Sequence, residues 1–266
     1  MKREDEKNAE RFKGFAELYE LARPHMPQRV IELTRIYRGA PPRRVVDMGC
    51  GTGLSTLIWA GACEEVIGIE PSADMLAVAR AKQQDGVSFK QAYSHDTGLE
   101  SASADVVICS QSFHWMEPVS TLAEVSRILS PGGVFATVDC DWPPVCGLEA
   151  EMAFEQVMNE VERIEDLEPS LQSASVKWDK EGHLTNIAQS GHFRYARELL
   201  FSNAERCTAE RLVGLVLSQG GLQAVLKAFP ERIMPHVDHL RDTVSSVYGA
   251  EEFRIDFNYR MRIGVK

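Results

Sequence analysis

The stretch Val45-Val46-Asp47-Met48-Gly49-Cys50-Gly51-Thr52-Gly53 decides the fold of this 266-residue chain. An apolar run ends at an acid, passes into a turn in which every second residue is glycine, and continues into a helical pattern. Glycine allows a positive φ and lets a ligand approach the main chain without meeting a Cβ atom. N–H groups at the start of the next helix point back toward such a turn. The stretch predicts a strand, a ligand-binding loop and a helix, and it leaves open whether the ligand is a dinucleotide, a phosphate or another adenosine-containing cofactor.

Strand and helix patterns alternate around this stretch. Apolar strand patterns occur at residues 44–48, 66–70, 87–89, 104–110 and 134–138. Short connections between alternating strands and helices are typical of an α/β fold with a parallel sheet and helices on both of its faces. Ligands bind beyond the carboxyl ends of such strands. The sequence therefore predicts one site at that edge of the sheet.

The alternation stops after Asp139. Residues 147–168 and 208–248 are helical in pattern, whereas residues 193–201 and 253–265 alternate like strands that can pair antiparallel. We therefore predict one domain over residues 1–266 with a helical cap inserted late in the chain. Its parts are an N-terminal helical lid (1–40), a cofactor-binding core (41–140), two insertions that form the helical cap (141–181 and 203–250) and two returns to the sheet (182–202 and 251–266).

Composition excludes several classes of protein. A net charge of -10 disfavours binding to nucleic acids and anionic membranes, which require clusters of lysine and arginine. The charged N-terminus has no apolar signal region, and no apolar run reaches transmembrane length. The six cysteines form no Cys-x-x-Cys pair, which indicates free thiols in a reducing compartment. We expect a cytoplasmic protein, monomeric or homodimeric, with no metal, nucleic-acid or membrane partner.

Two acids narrow the choice of cofactor. The loop lacks the Gly-x-Gly-x-x-Gly spacing that is typical of dinucleotide binding. Asp47 precedes it, and a carboxylate there suits a cationic ligand group better than a pyrophosphate. Glu70 ends the second strand, at about the distance along the chain at which an acid binds ribose hydroxyls. Since neither the loop at residues 47–53 nor the stretch that follows Glu70, residues 71–79, contains a lysine or arginine, the pair favours a ribose-bearing cationic cofactor such as S-adenosylmethionine.

Four segments carry a resemblance to a known family. The segment 45–53 resembles motif I of the class I S-adenosylmethionine-dependent methyltransferases, and 68–76 is similar to their second motif. The segment 101–115 resembles their fourth-strand region, and 127–133 resembles the part that precedes their fifth strand. The resemblance is nearest to the small-molecule branch that includes trans-aconitate and quinone-precursor methyltransferases. It implies a Rossmann-like, mostly parallel seven-stranded sheet.

The resemblance also implies roles for individual residues. Gly49 and Gly51 would pass the methionine part of the cofactor over bare backbone, and Asp47 would bind near its ammonium group, directly or through water. Glu70 would bind both ribose hydroxyls, and Met75 would pack near the adenine. The stretch after the third strand departs from the family pattern, so it leaves open which of three residues there contacts adenine. The complete expected cofactor set is Tyr19, Asp47, Gly49, Cys50, Gly51, Glu70, Pro71, Met75, Ser94, His95, Asp96 and Gln111.

Residues near the methyl position are harder to assign. His114 follows the fourth strand and is the candidate general base, with packing or a shaping hydrogen bond as the alternative role. Phe15, Trp115 and Trp142 are candidates for the acceptor pocket. The run Asp141-Trp142-Pro143-Pro144 resembles a motif of amino-methyltransferases that act on DNA or glutamine. That motif follows the fourth strand, whereas this run follows the fifth, so we set that function aside.

Three functions remain as hypotheses. The first is a methyltransferase that moves the methyl group of S-adenosylmethionine to a small-molecule acceptor by in-line displacement and leaves S-adenosylhomocysteine. The second is a non-catalytic protein that binds S-adenosylmethionine. The third is a nicotinamide-dependent oxidoreductase. The sequence leaves open the identity of the acceptor and whether an oxygen, nitrogen, carbon or sulfur atom is methylated.

Overall fold

A computed structural model of the protein describes residues 16–172 and 176–266. Its strands are β1 (Arg44–Met48), β2 (Glu65–Ile69), β3 (Val87–Lys90), β4 (Ala104–Ser110), β5 (Leu129–Cys140), β6 (Tyr195–Cys207) and β7 (Phe253–Val265). They form one sheet in the order β3-β2-β1-β4-β5-β7-β6. The first five strands are parallel, whereas β7 runs antiparallel to both β5 and β6. The predicted mostly parallel seven-stranded sheet is confirmed.

Helices cover both faces of this sheet. They are α1 (Ala16–Ala22), α2 (Gln28–Arg38), α3 (Leu54–Leu57), α4 (Ala73–Ala81), α5 (Pro118–Ile128), α6 (Leu148–Leu167), α7 (Pro169–Gln172), α8 (His183–Gln189), α9 (Ala209–Leu217), α10 (Gly220–Ala228) and α11 (Pro230–Tyr248). Short 3₁₀ turns occur at Phe113–Trp115 and Lys180–Gly182. Side chains cap several of these helices: the Glu117 carboxylate accepts the first N–H groups of α5, and the Thr208 hydroxyl accepts one at the start of α9.

Neighbouring residues of a strand serve two separate cores. Val45 belongs to a cluster formed with helices α2, α6, α9, α10 and α11, whereas Val46 belongs to a cluster formed with α5 and α8. This follows from the strand geometry, in which successive side chains point to opposite faces of the sheet. The helices of the cap thus share the first cluster with the central strand β1.

The late part of the chain returns to the sheet as an antiparallel pair. β6 and β7 pair along their full lengths, from Tyr195 opposite Val265 to Cys207 opposite Phe253. The pairing predicted for residues 193–201 and 253–265 is therefore present, and β6 continues past residue 202 into the range predicted as cap. β6 is an edge strand with alternating exposure, and its continuation is secured by hydrogen bonds to β7 rather than by an apolar run that the sequence would show.

The structure also describes the cysteines and the apolar content of the helices. All six cysteines are described, and none of them forms a disulfide, as expected. Within the described ranges, no helix combines the length and the apolar composition that crossing a bilayer requires.

Candidate functional site

A cleft of about 1170 Å³, counting the space at its open mouth, lies at the carboxyl ends of β1, β2 and β4. In the strand order, the chain changes direction across the sheet between β1 and β4, which is where open α/β sheets bind their ligands. Most of the residues expected from the sequence lie on the wall of this cleft. They are Tyr19, Gly49, Cys50, Gly51, Glu70, Pro71, Met75, Ser94, Gln111, Trp115 and Trp142.

The glycines of the loop after β1 serve different purposes. Gly49 (φ +68°) and Gly51 (φ +55°) both adopt the left-handed conformation that favours glycine. A Cβ atom at Gly49 would lie 2.6 Å from Cβ of Ser112 and 2.7 Å from Cε of Met116. A Cβ atom at Gly51 would meet no heavy atom within 4 Å. Gly49 is therefore required by packing, whereas Gly51 leaves bare main chain on the cleft wall.

Glu70 joins this loop to the beginning of α4. Its Oε2 accepts the Gly51 N–H at 3.0 Å, and its Oε1 accepts the Ser72 N–H at 2.9 Å. Each carboxylate oxygen can accept two hydrogen bonds, so each keeps one acceptor position for a ligand. Burial raises the pKa of Glu70 from 4.5 to about 7, and its two backbone hydrogen bonds partly oppose that effect. Glu70 is thus an acceptor on the wall, pre-positioned by the main chain.

Asp47 lies beneath the loop rather than on the cleft wall. Its Oδ2 accepts hydrogen bonds from the hydroxyls of Ser55 and Thr56, both at 2.7 Å, so the carboxylate ties the end of β1 to α3. The side chain is fully buried, and no described residue hydrogen-bonds its Oδ1 atom. Burial raises the pKa of Asp47 to about 6. The structure does not bring Asp47 to the wall where direct contact with a ligand ammonium group would occur.

Some of the other expected cofactor residues line the cleft, and others lie behind its lining. The thiol of Cys50 packs under the loop, since a Cβ atom at Gly68 would lie 2.8 Å from its Sγ. Of the three residues left open after β3, the cleft wall includes Ser94, whose Oγ is 2.9 Å from the Thr121 hydroxyl. His95 and Asp96 are not on the wall, although Tyr93, against which the His95 ring stacks, is.

Gln111 occupies a strained position where β4 ends. Its φ is +54°, a conformation that costs a non-glycine residue on the order of 1–3 kcal/mol and occurs preferentially at functional sites. The Gln111 N–H donates to the Val138 carbonyl at 2.8 Å, and Oε1 accepts from Lys180 Nζ at 3.2 Å. These contacts with β5 and with the cap hold the Gln111 side chain at the cleft.

His114 lies in a charged cluster outside the cleft wall. Its Nδ1 is 3.7 Å from Asp139 Oδ1, and Nε2 of His183 is 3.8 Å from the other oxygen, Oδ2. Lys180 and Arg262 also pair with Asp139, at 3.1 and 2.9 Å. Burial, followed by nearby cations, holds the pKa of His114 well below its usual value, so the imidazole is neutral at pH 7.

The same cluster has the composition of a metal site. His114, Asp139 and His183 are all buried and each offers a ligand atom, with these atoms within 4.8 Å of one another. However, two cationic side chains already share the Asp139 carboxylate. A divalent ion placed among them would meet that positive charge, so we assign the cluster to structural support of the turn after β4.

The structure adds wall residues that the sequence did not indicate. Arg23 and Tyr259 line the cleft beside Trp142, and Met116 lines it below the loop. In the sequence, Arg23 is notable only because Arg23-Pro24 ends a helical pattern. Tyr259 belongs to β7, which reaches the cleft only through antiparallel pairing. Phe15, expected in the acceptor pocket, lies outside the described residues.

Comparison with known proteins shows which domain family part of the chain resembles. Residues 46–137 match the family model of a methyltransferase domain. An uncharacterised methyltransferase of Mycobacterium tuberculosis is 34% identical over 115 residues, which are 43% of this chain and 46% of that protein. The trans-aconitate 2-methyltransferase of Acidovorax ebreus is 34% identical over 122 residues, or 45% of this chain and 46% of the relative. The chain thus spans about half the length of these curated relatives.

A solved structure extends the likeness in fold to most of the chain. A protein of Anaeromyxobacter dehalogenans that has been assigned as a type II methyltransferase superposes with a TM-score of 0.70 at 22% identity. The superposition covers 91% of this chain and 97% of the other. Residues 46–137 thus resemble a methyltransferase domain, most of the chain shares the fold of the solved structure, and the chain's resemblance to the class I methyltransferases is confirmed.

Proposed function

We propose that this protein binds S-adenosylmethionine in the cleft and transfers its methyl group to a small-molecule acceptor, leaving S-adenosylhomocysteine. The observation that carries the proposal is the placement of Glu70. Its carboxylate lies on the wall next to the bare main chain of Gly51, and the backbone fixes its orientation while leaving acceptor positions free. Those positions suit the two hydroxyls of a ribose.

The charge of this end of the cleft favours a cationic cofactor over a dinucleotide. Glu70 lies on the wall and Asp47 lies beneath it, and no described lysine or arginine pairs with either carboxylate. The pyrophosphate of a dinucleotide would have to approach these two acids without a compensating cation. A sulfonium and an ammonium group are attracted by the same field. The residues present therefore fit S-adenosylmethionine better than a nicotinamide cofactor.

Transfer of a methyl group requires mainly position and exclusion of water. S-adenosylmethionine supplies a methyl group that is already activated as part of a sulfonium. The chain's own contribution is to orient the acceptor and to keep the site dry, and orientation alone can contribute roughly 7–11 kcal/mol. Trp115, Trp142 and Tyr259 line the wall, and in this proposal they provide bulky apolar surface for the acceptor. One relative is named trans-aconitate 2-methyltransferase, which supports a small-molecule acceptor.

Apart from Glu70, which we assign to the ribose hydroxyls, the described wall contains no carboxylate or imidazole that could serve as a general base near neutral pH. His114 lies outside it, and burial holds the Cys50 thiol protonated by raising its pKa. We therefore infer an acceptor whose nucleophilic atom has no proton to lose, or loses it to water before transfer. His114 then acts through the turn after β4, by holding the segment that bears Gln111.

A non-catalytic binder of S-adenosylmethionine is the second candidate, and turnover separates the two. The test is calorimetric titration with S-adenosylmethionine and NAD, followed by release of S-adenosylhomocysteine in the presence of a library of small-molecule acceptors. We expect S-adenosylmethionine to bind and at least one acceptor class to stimulate release. Tight binding without release from any acceptor favours the binder. Binding of NAD alone refutes both.

A further inference from the structure

Four buried side-chain atoms on residues of the cleft wall have no hydrogen-bond partner among the described residues. Two are the hydroxyls of Thr52 and Ser110, which can donate or accept, and the other two, Nε of Arg23 and Nε2 of Gln111, can only donate. A buried donor without a partner costs about 1–3 kcal/mol. Arg23 and Gln111 both line the cleft, so a rotation of either side chain would present its donor to a ligand that supplies the missing acceptor.

Arg23 is held in place by contacts that leave its charge uncompensated. Its Nη2 donates to the Ser218 carbonyl at 3.0 Å and to Oε1 of Gln219 at 3.2 Å, both neutral acceptors. Its guanidinium lies 4.8 Å from the ring centre of Tyr19 and 5.2 Å from that of Trp142. No described carboxylate forms an ion pair with it. The cation is thus fixed by stacking and backbone contacts, with its Nε donor unused.

The identity of the free atom of Gln111 follows from its neighbour. Lys180 can only donate a hydrogen bond, so the atom that it contacts at 3.2 Å must be the amide oxygen. The amide nitrogen is therefore the unpartnered atom. The left-handed φ of Gln111 and the hydrogen bond of its N–H to Val138 fix the backbone from which this donor projects.

The two donors belong to the same end of the cleft. Arg23 stacks on Trp142, which follows β5, and the Gln111 N–H bonds to β5 at Val138. The charge of Arg23 also contributes to the lowered pKa of His114, three residues after Gln111. This end is therefore cationic and rich in donors, whereas the end with Glu70 is anionic. A ligand group here must accept hydrogen bonds and carry negative charge, and a planar carboxylate meets both requirements.

We propose that Arg23 and Gln111 form a carboxylate-binding subsite of the cleft. The inference rests on the proposed function, which supplies two sources of a carboxylate: the methionine part of the cofactor and the methyl acceptor. In either case the N-terminal segment that bears Arg23 completes the site, because it brings a cation to the end of the cleft near Gln111.

The test compares two ligands, one of which has the amino acid part with its carboxylate and one of which lacks that whole part. S-adenosylhomocysteine carries the amino acid carboxylate, whereas 5′-methylthioadenosine keeps the adenosine and thioether but lacks it. Calorimetry measures both with the wild-type protein, Arg23→Gln, Arg23→Lys and the control Gln219→Ala, which removes one of the two acceptors of Arg23 Nη2 and keeps the guanidinium. For a cofactor carboxylate we expect Arg23→Gln to weaken S-adenosylhomocysteine at least tenfold, with methylthioadenosine unchanged within twofold. Arg23→Lys should recover part of the loss, and Gln219→Ala should show less than half of it.

An acceptor carboxylate gives a different pattern. S-adenosylhomocysteine then binds equally to wild type and Arg23→Gln, and the complex binds succinate, glutarate or benzoate at least tenfold more tightly in wild type. The matching amides show no such difference. Equal losses of S-adenosylhomocysteine and methylthioadenosine, or no Arg23-dependent change with any carboxylate, overturn the subsite. If wild type binds neither nucleoside, the proposed function fails, and the carboxylate titrations of the free protein decide the subsite separately.

Discussion

Replacing Glu70 by Gln should weaken the cofactor and also remove a pH dependence. In wild type the carboxylate accepts N–H groups from Gly51 and Ser72 and has acceptor positions left for a ligand. The amide places an NH₂ group against one of those backbone N–H groups and loses the charge. A hydrogen bond to a charged group contributes about 1.5–3 kcal/mol, which corresponds to roughly 10- to 150-fold in the dissociation constant. Calorimetric titration with S-adenosylhomocysteine at pH 8 measures this loss.

The pH profile follows from the pKa of Glu70 in the free protein, about 7. Ribose hydroxyls donate to the ionised carboxylate, so affinity should be constant above pH 7 and fall as the carboxyl group takes up a proton below it. At pH 6 the loss is about tenfold. Glu70→Gln should have weak affinity that does not follow this decline. Wild-type affinity that is flat between pH 8 and 6, or equal affinity in the two proteins at pH 8, would refute the role assigned to Glu70.

Three further perturbations test the surrounding site. Burial raises the pKa of Asp47 from 3.8 to about 6, so the folded chain binds more protons than the unfolded chain between these pH values. The free energy of unfolding should therefore fall by about 3 kcal/mol as pH rises through this range. Asp47→Asn should remove this fall from a series of denaturations at different pH, and an unchanged slope contradicts the assignment. Gly51→Ala and the matched control Gly39→Ala both place a Cβ in open space at positive φ, so each should lower the free energy of unfolding in urea by about 1 kcal/mol. Only Gly51→Ala should also weaken the binding of S-adenosylhomocysteine. Equal binding by both variants would contradict contact between the loop and the cofactor. His114→Gln should lower turnover without moving the pH at which turnover is half-maximal, because the imidazole is already neutral; a shifted midpoint would restore His114 as the base.

The fold was largely predictable because its signals are local. The central strands are apolar runs buried on both faces, and the glycines between β1 and α3 mark the turn that parallel sheets place at a ligand site. Glu70 was identifiable from its position at the end of β2. The pairing of β6 with β7 was also indicated, because both segments alternate in the manner of strands with one covered face.

Residues that depend on long-range geometry were less predictable. Asp47 has the same sequence context whether it faces a ligand or supports a helix, and only the hydroxyls of Ser55 and Thr56 decide between these roles. His114 follows a strand like a catalytic residue, yet its partner Asp139 lies on a different strand and directs it into a charged cluster. A sequence pattern does not show whether a side chain after a strand points into the cleft or away from it.

Arg23 illustrates the same limit from the other direction. In the sequence it precedes a proline and only ends a helical pattern. Its role depends on Ser218 and Gln219, almost 200 residues further along the chain, and on the ring of Trp142. Such a site is assembled from the N-terminal segment, the cap and the sheet edge, and none of these segments carries a motif for it.

A crystal structure of the protein with S-adenosylhomocysteine tests the central claim most directly. We expect one molecule per chain in the cleft, with the ribose hydroxyls within 3.2 Å of the Glu70 carboxylate, the amino acid part crossing Gly51, and the sulfur facing the side lined by Trp115 and Trp142. Binding outside the cleft, or a ribose that makes no contact with Glu70, would contradict the account.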